Sequence, residues 1–433
     1  MQKKKKYSLI LLMLVSLCSG LATEYVDLES YQNRTYQQPQ PGFLEKIFKS
    51  DWDSFKSSIN ESVFADNITS EQFWNTLRSS LEDGTFYNRV SRYETSTQQS
   101  GGDLFLRTVF SSINQIPVKY KSVSPRGDSI SLSGKIFLPK NKNAKHIIIA
   151  NHYTICSNDE APSNASCLEG IFAIKDYIVL MPDYIGYGLS DSLTHPYLHL
   201  ESTVNSALDL LKAAIPYLKA NSYSYYPSLI LIGYSQGAAV TLALQKRIEE
   251  QYSHLYSMQK VYAGAGPYDL KGTFDYYISQ HSTNIPCSLP MLISGLNYGE
   301  GLNLTLDDFF QPILQEKYHS LIETKQKSMN EVNAELGNNM DFLLKPIIYH
   351  PDSFPTSILY EAVQKNSIVH WTPKSNLFLF HSTEDNMVPF LNSEHLHKEF
   401  EIQHLGNVHY DFAPYGNHMR AAVYFFEKVY RSL

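Results

Sequence analysis

Short, unbroken apolar runs recur along the chain, each followed by a turn and a longer segment. These runs span residues 147–150, 178–181, 229–232 and 377–380. Strands buried on both faces have this composition, which is typical of a parallel sheet. The segments 117–123 and 129–138, on either side of the turn at 125–128, predict two further strands.

Apolar residues between the runs recur at the spacing of a helix. The clearest set is spaced four, three, four and three residues apart and comprises Val204, Leu208, Leu211, Ile215 and Leu218. A second helix is predicted over 238–248, after the strand at 229–232. Strands that alternate with helices favour a doubly wound α/β domain with a mainly parallel sheet.

The alternation of strands and helices stops between about residues 267 and 366. This stretch has helix signals, among them the capping pair Ser328 and Glu331 and the run 307–323, and no convincing buried strand. We therefore predict a helical insertion. The predicted organisation is a leader at 1–22, a partly helical arm at 23–101 with a helix at 70–81, an α/β core at 102–266 and 367–433, and the helical insertion at 267–366.

The composition is that of a globular protein. The 433 residues are 43% hydrophobic and 18% charged, which is enough apolar material for a large core and too little charge for disorder. The formal net charge of -7 argues against nucleic acid as a partner.

The first residues have the pattern of a secretory signal peptide. Four consecutive lysines precede a mainly apolar run at 8–17, and a small-residue region ends at Ala22. The run is too short to span a membrane, so we predict cleavage after Ala22 and a secreted or periplasmic protein. The alternative is a lipid anchor at Cys18 on the cell surface, although Leu17 stands where a small residue is usual.

The chain has four cysteines. Cys156 and Cys167 flank a short polar loop, and in an oxidising compartment they form the predicted disulfide. Cys287 is then left without a partner. The pattern offers too few ligands for a zinc site, and neither a metal nor an organic cofactor is implied.

A candidate nucleophile lies in the sequence Gly233-Tyr234-Ser235-Gln236-Gly237. This G-x-S-x-G motif follows an apolar strand directly and opens a helix, and such a turn projects the serine hydroxyl above the sheet. Ser235 is therefore the predicted nucleophile. The alternative is a helix N-terminus with an incidental serine.

A serine hydroxyl needs a base, and the base needs an orienting acid. When a G-x-S-x-G turn carries the nucleophile, the acid and the histidine follow it in that order. Asp385 follows the last apolar run, and His418 lies in a turn before the terminal helix. The alternatives that stay open are Glu384 for the acid and His404 or His409 for the base.

The reaction also requires donors for the oxyanion of the transition state. The backbone N–H of Gln236, directly after the nucleophile, is one predicted donor. The other is the N–H of Tyr153, in the sequence His152-Tyr153-Thr154 after the strand at 147–150. The alternative is that these residues only terminate the strand.

Taken in order, these motifs resemble a family of secreted α/β-hydrolases that includes fungal secretory lipases and related bacterial lipases and esterases. The resemblance extends over about 118–429 and rests on the serine turn, the Asp385 and His418 loops, and residues 133–139, 152–154, 182–190, 195–197, 265–268 and 366–373. It implies an α/β-hydrolase fold with a helical cap. The family usually has glycine after the oxyanion-loop histidine, where this chain has Tyr153.

These observations predict a carboxylic ester hydrolase of the lipase or esterase type, acting on a small-molecule or lipid ester through an acyl-enzyme. The alternatives are an acyltransferase or peptidase with the same residues, or a non-catalytic binding protein on this fold. We expect a subset of apolar residues in the helical insertion to contact the acyl chain, chosen from Phe309, Phe310, Ile313, Leu314, Leu343, Leu344, Ile347 and Ile348.

Overall fold

A nine-stranded sheet forms the centre of the protein. The computed structural model describes residues 25–33, 74, 113–165 and 167–433. The strands are β1 Val26–Asp27, β2 Asn114–Val123, β3 Ser129–Leu138, β4 Ile147–Asn151, β5 Ile178–Pro182, β6 Ser228–Tyr234, β7 Ser257–Gly264, β8 Leu377–Ser382 and β9 Val408–Ala413. The predicted leader with Cys18 and, apart from Trp74, the predicted helix at 70–81 lie outside the described residues.

The sheet is mainly parallel, as the apolar runs predicted. Its order is β1-β2-β3-β5-β4-β6-β7-β8-β9. All neighbours from β5 to β9 pair in parallel, whereas β3 is antiparallel to β2 and β5. Every residue of β4 and β5 is buried, because helices cover both faces of these central strands.

The α-helices either cover the two faces of the sheet or belong to the helical insertion. They are α1 Leu200–Ala220, α2 Gln236–Arg247, α3 Leu270–Gln280, α4 Ser288–Glu300, α5 Leu306–Phe309, α6 Pro312–Tyr318, α7 Met329–Leu336, α8 Met340–Leu343, α9 Thr356–Lys365, α10 Leu391–Ile402 and α11 His418–Ser432. Ile147 and Ile149 of β4 join the apolar cluster beneath α1 and α2. Ile148 joins the opposite cluster, which includes α11. None of the helices in the described ranges has both the length and the apolarity needed to cross a membrane.

The helical insertion at 267–366 consists of α3 to α9 and short turns. All its residues are described, and none lies in a strand. Most of its buried apolar side chains form a cluster separate from the two that flank the sheet. The run 307–323 is not one helix, since Pro312 begins a new helix and lacks the N–H needed to continue the previous one. Ser328 and Glu331 form the predicted capping box of α7.

Candidate active site

Ser235 lies in a strained turn between β6 and α2. Its φ of 57° and ψ of -127° are unfavourable for a residue with a side chain. The turn requires glycine on both sides: a Cβ at Gly233 would lie 2.1 Å from the carbonyl oxygen of Gly237, and one at Gly237 would lie 2.0 Å from that of Asn151. The close approach of Asn151 places the end of β4 directly beside the Ser235 turn.

Asp385 and His418 are joined by a short hydrogen bond. Asp385 follows β8 and His418 is the first residue of α11, and the imidazole Nδ1–H donates to Asp385 Oδ2 over 2.6 Å. The other carboxylate oxygen of Asp385 accepts from the N–H groups of Met387 and Val388, at 2.9 and 2.8 Å. The acid is therefore held from both sides, and His418 keeps Nε2 available as a base.

The Asp385 carboxylate is ionised although its side chain is fully buried. Burial alone would raise its pKa, but attraction to His418 and hydrogen bonds from His381 and His418 hold the pKa well below its ordinary value. A permanent negative charge beside His418 stabilises the imidazolium that forms when this histidine takes a proton.

The alternative residues lie elsewhere. Glu384 is exposed and accepts a hydrogen bond from Gly416 N–H at 3.0 Å. His409 lies exposed on β9 and stacks on Phe378 with ring centroids 4.6 Å apart. His404 is exposed after α10. The structure thus brings Asp385, and not Glu384, to His418.

A small cavity of about 20 Å³ lies beside Ser235. A single water needs about 10–15 Å³, so this cavity is closed to a longer acyl chain in the present conformation. Its walls come from the core and the helical insertion together: Tyr153, Thr154, Tyr234, Ser235, Ile285, Met329, Met387, His418, Met419 and Ala422. The side chains that limit its size from the insertion are therefore Ile285 and Met329.

Both predicted oxyanion donors are near this cavity. Tyr153 lines it, and Gln236 is the first residue of α2. The N–H of a first helical residue has no intrahelical acceptor and lies at the positive end of the helix dipole. The Gln236 side chain donates to His195 Nε2 at 3.2 Å, which fixes it away from the backbone N–H.

Three further residues hold the site together, and sequence reasoning did not assign them. His381 is fully buried with Nε2–H directed at Val388 O and, at 3.4 Å, at Asp385 Oδ2. Tyr234 donates from its hydroxyl to the carbonyl of His418 at 2.7 Å. Ser382 donates to Gly416 O at 2.6 Å and so joins the acid loop to the histidine loop. Periodicity does not reveal these residues, because their partners are distant in sequence or lie within irregular loops.

Two buried histidines near the nucleophile are neutral. Burial lowers the pKa of His152 to about 4 and that of His195 to about 3. His195 donates from Nδ1 to Ile185 O at 2.7 Å and accepts at Nε2 from Gln236. Protonation of His195 would break the hydrogen bond that Nε2 accepts from the Gln236 amide.

We expect the contribution of His152 and His195 to the unfolding free energy to fall as the pH decreases from about 6.5 to about 4. In this window the unfolded chain binds protons at His152 and His195, whereas the folded chain does not, so these two groups favour unfolding in acid. The buried Glu169, whose pKa burial raises to about 7, acts in the opposite direction. Each unit of pKa difference corresponds to about 1.4 kcal/mol, and the two histidines together account for several kcal/mol. Urea unfolding at about pH 7.5 and about pH 5 measures the effect.

His195→Gln should make the pH dependence shallower, because it removes one of the two titrating groups. His254→Gln, at an exposed position, should leave the dependence unchanged. A pH dependence that is the same in His195→Gln and in the unsubstituted protein would contradict the assignment.

The structure does not show the predicted disulfide between Cys156 and Cys167. Both thiols are free, and so is Cys287. Cys156 is buried in the apolar cluster of the helical insertion, whereas Cys167 packs against the cluster around α11 and its sulfur faces Ala165 O at 3.8 Å. Proximity in sequence is therefore misleading, because the loop directs the two side chains into different cores.

The expected acyl contacts need correction as well. None of the eight apolar residues from Phe309 to Ile348 lines the cavity beside Ser235. Six of them are buried in the insertion's own cluster, and Ile347 packs against it. The insertion reaches the cavity instead through Ile285 and Met329.

No family model and no curated protein matches the chain. Several solved structures, in contrast, are similar to it in fold. A candidate hydrolase from Legionella pneumophila has a TM-score of 0.68 and 20% identity, covering 76% of this chain and 94% of that one. The rice cell wall degrading esterase LipA from Xanthomonas oryzae has a TM-score of 0.65 and 21% identity, covering 75% of this chain and 92% of that one. Candida antarctica lipase A has a TM-score of 0.54 and 17% identity, covering 72% of this chain and 74% of that one. With its mainly parallel sheet and the serine turn after β6, the chain therefore has the α/β-hydrolase fold.

Proposed function

We propose that this protein is a secreted carboxylic ester hydrolase that acts on a small-molecule or lipid ester. The observation that carries the proposal is the 2.6 Å hydrogen bond between Asp385 and His418, in a site where His418 and the strained Ser235 line one cavity. The esterase and lipase with similar folds are consistent with this activity. Secretion rests on the leader pattern at 1–22 alone.

In the proposed reaction, Ser235 Oγ attacks the ester carbonyl while His418 Nε2 takes its proton. The protonated His418 then gives this proton to the leaving alcohol, and an acyl-enzyme remains on Ser235. Water, activated by the same histidine, releases the acid. Asp385 holds the imidazole in the Nδ1–H tautomer throughout, and its charge stabilises the imidazolium.

The negative oxygen of the tetrahedral intermediate is assigned to the N–H groups of Gln236 and Tyr153. The N-terminus of α2 adds its positive dipole end at the same place. A donor of this kind contributes about 3–4 kcal/mol to transition-state stabilisation. Tyr153 places a bulky ring at a position where a glycine would leave space, which favours a narrow acyl entrance.

The proposal is tested with a series of p-nitrophenyl esters from acetate to octanoate, together with labelling by a fluorophosphonate probe. We expect hydrolysis and stoichiometric labelling of Ser235. Folded protein that neither hydrolyses any ester nor reacts with the probe would identify a non-catalytic binding protein. Parallel assays with an added alcohol acceptor and with a peptide substrate detect acyl transfer and peptidase activity, which use the same three side chains.

Met329→Ala should increase the preference for longer acyl chains. This side chain limits the cavity beside Ser235, so its removal makes space for methylenes, each worth about 0.8 kcal/mol or about fourfold in kcat/KM. The ratio of kcat/KM for octanoate to that for acetate measures the change.

Met340→Ala is the matched control, because Met340 is fully buried in the insertion's cluster and does not line the cavity. It should lower the free energy of unfolding by about 2–5 kcal/mol and leave the ratio unchanged. A ratio that shifts equally in both variants would contradict a direct contact between Met329 and the acyl chain.

A further inference from the structure

Two sulfur-bearing segments meet where the core and the helical insertion join. Cys156 follows β4 in the loop that carries Tyr153, and Cys287 directly precedes α4 of the insertion. The thiols of Cys156 and Cys287 lie close enough for Cys287 to raise the pKa of the Cys156 thiol. Cys156 Sγ also lies 3.7 Å from the sulfur of Met291, which is one helical turn beyond Cys287. The core loop therefore reaches the first turn of α4.

Both cysteines are buried and firmly positioned. Cys156 is 2% and Cys287 0% exposed, and both belong to the insertion's apolar cluster. The N–H of Cys156 donates to Glu160 and that of Cys287 donates to Asn333, at 3.1 and 2.9 Å. Two buried thiols that separate parts of the fold bring into one cluster, one of them 3.7 Å from a residue a helical turn beyond the other, are candidates for a disulfide.

We propose that Cys156 and Cys287 form a disulfide that links the oxyanion loop to the helical insertion. The oxidant is a small or protein disulfide, such as oxidised glutathione. The thiolate of one cysteine attacks it, forms a mixed disulfide and releases one thiol. The second cysteine then displaces the other thiol. One S–S bond forms in the protein, two S–H bonds are lost, and the oxidant is reduced to two thiols.

The bond should form before the two parts finish packing. The contact with Cys287, and then burial, raises the pKa of the Cys156 thiol well above its ordinary value, and a buried thiol reacts slowly. Cys156 retains one approach, because it borders a cavity of about 320 Å³ between the core and the insertion. Oxidation during folding is therefore expected to be fast, and oxidation of the folded protein slow.

The test is refolding of the reduced full chain in a mixture of reduced and oxidised glutathione. Free thiols are then alkylated, and proteolytic peptides are mapped by mass spectrometry. We expect a linked pair of peptides that contain Cys156 and Cys287, with Cys167 alkylated. Adding dithiothreitol should lower the Tm by about 5 °C or more, because the bond closes a loop of about 130 residues.

Cys167→Ser is the matched control and should keep both the linked peptides and the effect of dithiothreitol on the Tm. Cys287→Ser should lose both and leave Cys156 alkylated or bound to glutathione. The proposal is overturned if protein with native circular dichroism yields a Cys156–Cys167 link, or yields Cys156 alkylated in full. Because the readout is the bond itself, neither result depends on ester hydrolysis.

Discussion

Ser235→Ala is expected to lower kcat for ester hydrolysis by about 10⁴- to 10⁶-fold. The substitution removes the oxygen that forms the acyl-enzyme, while the N–H groups of Gln236 and Tyr153 remain to polarise a bound ester. The residual rate should therefore stay above that of the uncatalysed reaction. The same variant should no longer react with a fluorophosphonate.

Folding of this variant is checked by its Tm, which should be close to that of the unsubstituted protein, since alanine and serine tolerate the turn about equally. Ser253→Ala, on the exposed surface, is the control for serine substitution and should retain full labelling. Full labelling of Ser235→Ala would assign the nucleophile to another residue.

Asp385→Asn should reduce kcat by about 10⁴-fold, because an amide N–H facing His418 Nδ1 favours the wrong tautomer. The asparagine oxygen can still accept from the N–H groups of Met387 and Val388, so the loop should keep its shape. The loss should appear in kcat with little change in KM, since Asp385 is buried away from the substrate.

Glu384→Gln is the matched control in the adjacent position. Its side chain is exposed and accepts a hydrogen bond from Gly416 N–H, and glutamine can keep that bond. We expect activity within about threefold of the unsubstituted protein, because the exposed side chain keeps its hydrogen bond and the Asp385–His418 pair is unchanged. A larger loss in Glu384→Gln than in Asp385→Asn would transfer the role of the acid to Glu384.

The sequence predicted secondary structure best in strands whose two faces are both buried. Apolar runs such as 147–150 predicted strands with correct centres, because a strand covered on both faces has no polar positions. The motif around Ser235 predicted the turn between β6 and α2, because few residues tolerate its close backbone contacts. Only the ends of these elements shifted by a few residues.

Other features depend on contacts that no local pattern encodes. β9 contains His409, Tyr410 and Asp411 and is only partly buried at the sheet edge, so it lacks an apolar run. The thiol near Cys156 belongs to Cys287 and not to Cys167, because the insertion folds back over the loop that carries Cys156. In the sequence, His381 is only a histidine at the end of a strand, and its contact with Asp385 is visible only in the folded structure.

The backbone conformation that positions Ser235 for catalysis lowers the stability of the folded protein. Glycine adopts a φ of 57° and a ψ of -127° readily, whereas for a residue with a side chain this conformation costs about 1–3 kcal/mol of folding free energy. A laboratory selection for thermal stability alone would therefore favour Ser235→Gly. This variant is more stable but has no nucleophile. Stabilisation of this protein is best sought far from the turn, with turnover scored alongside melting at every round.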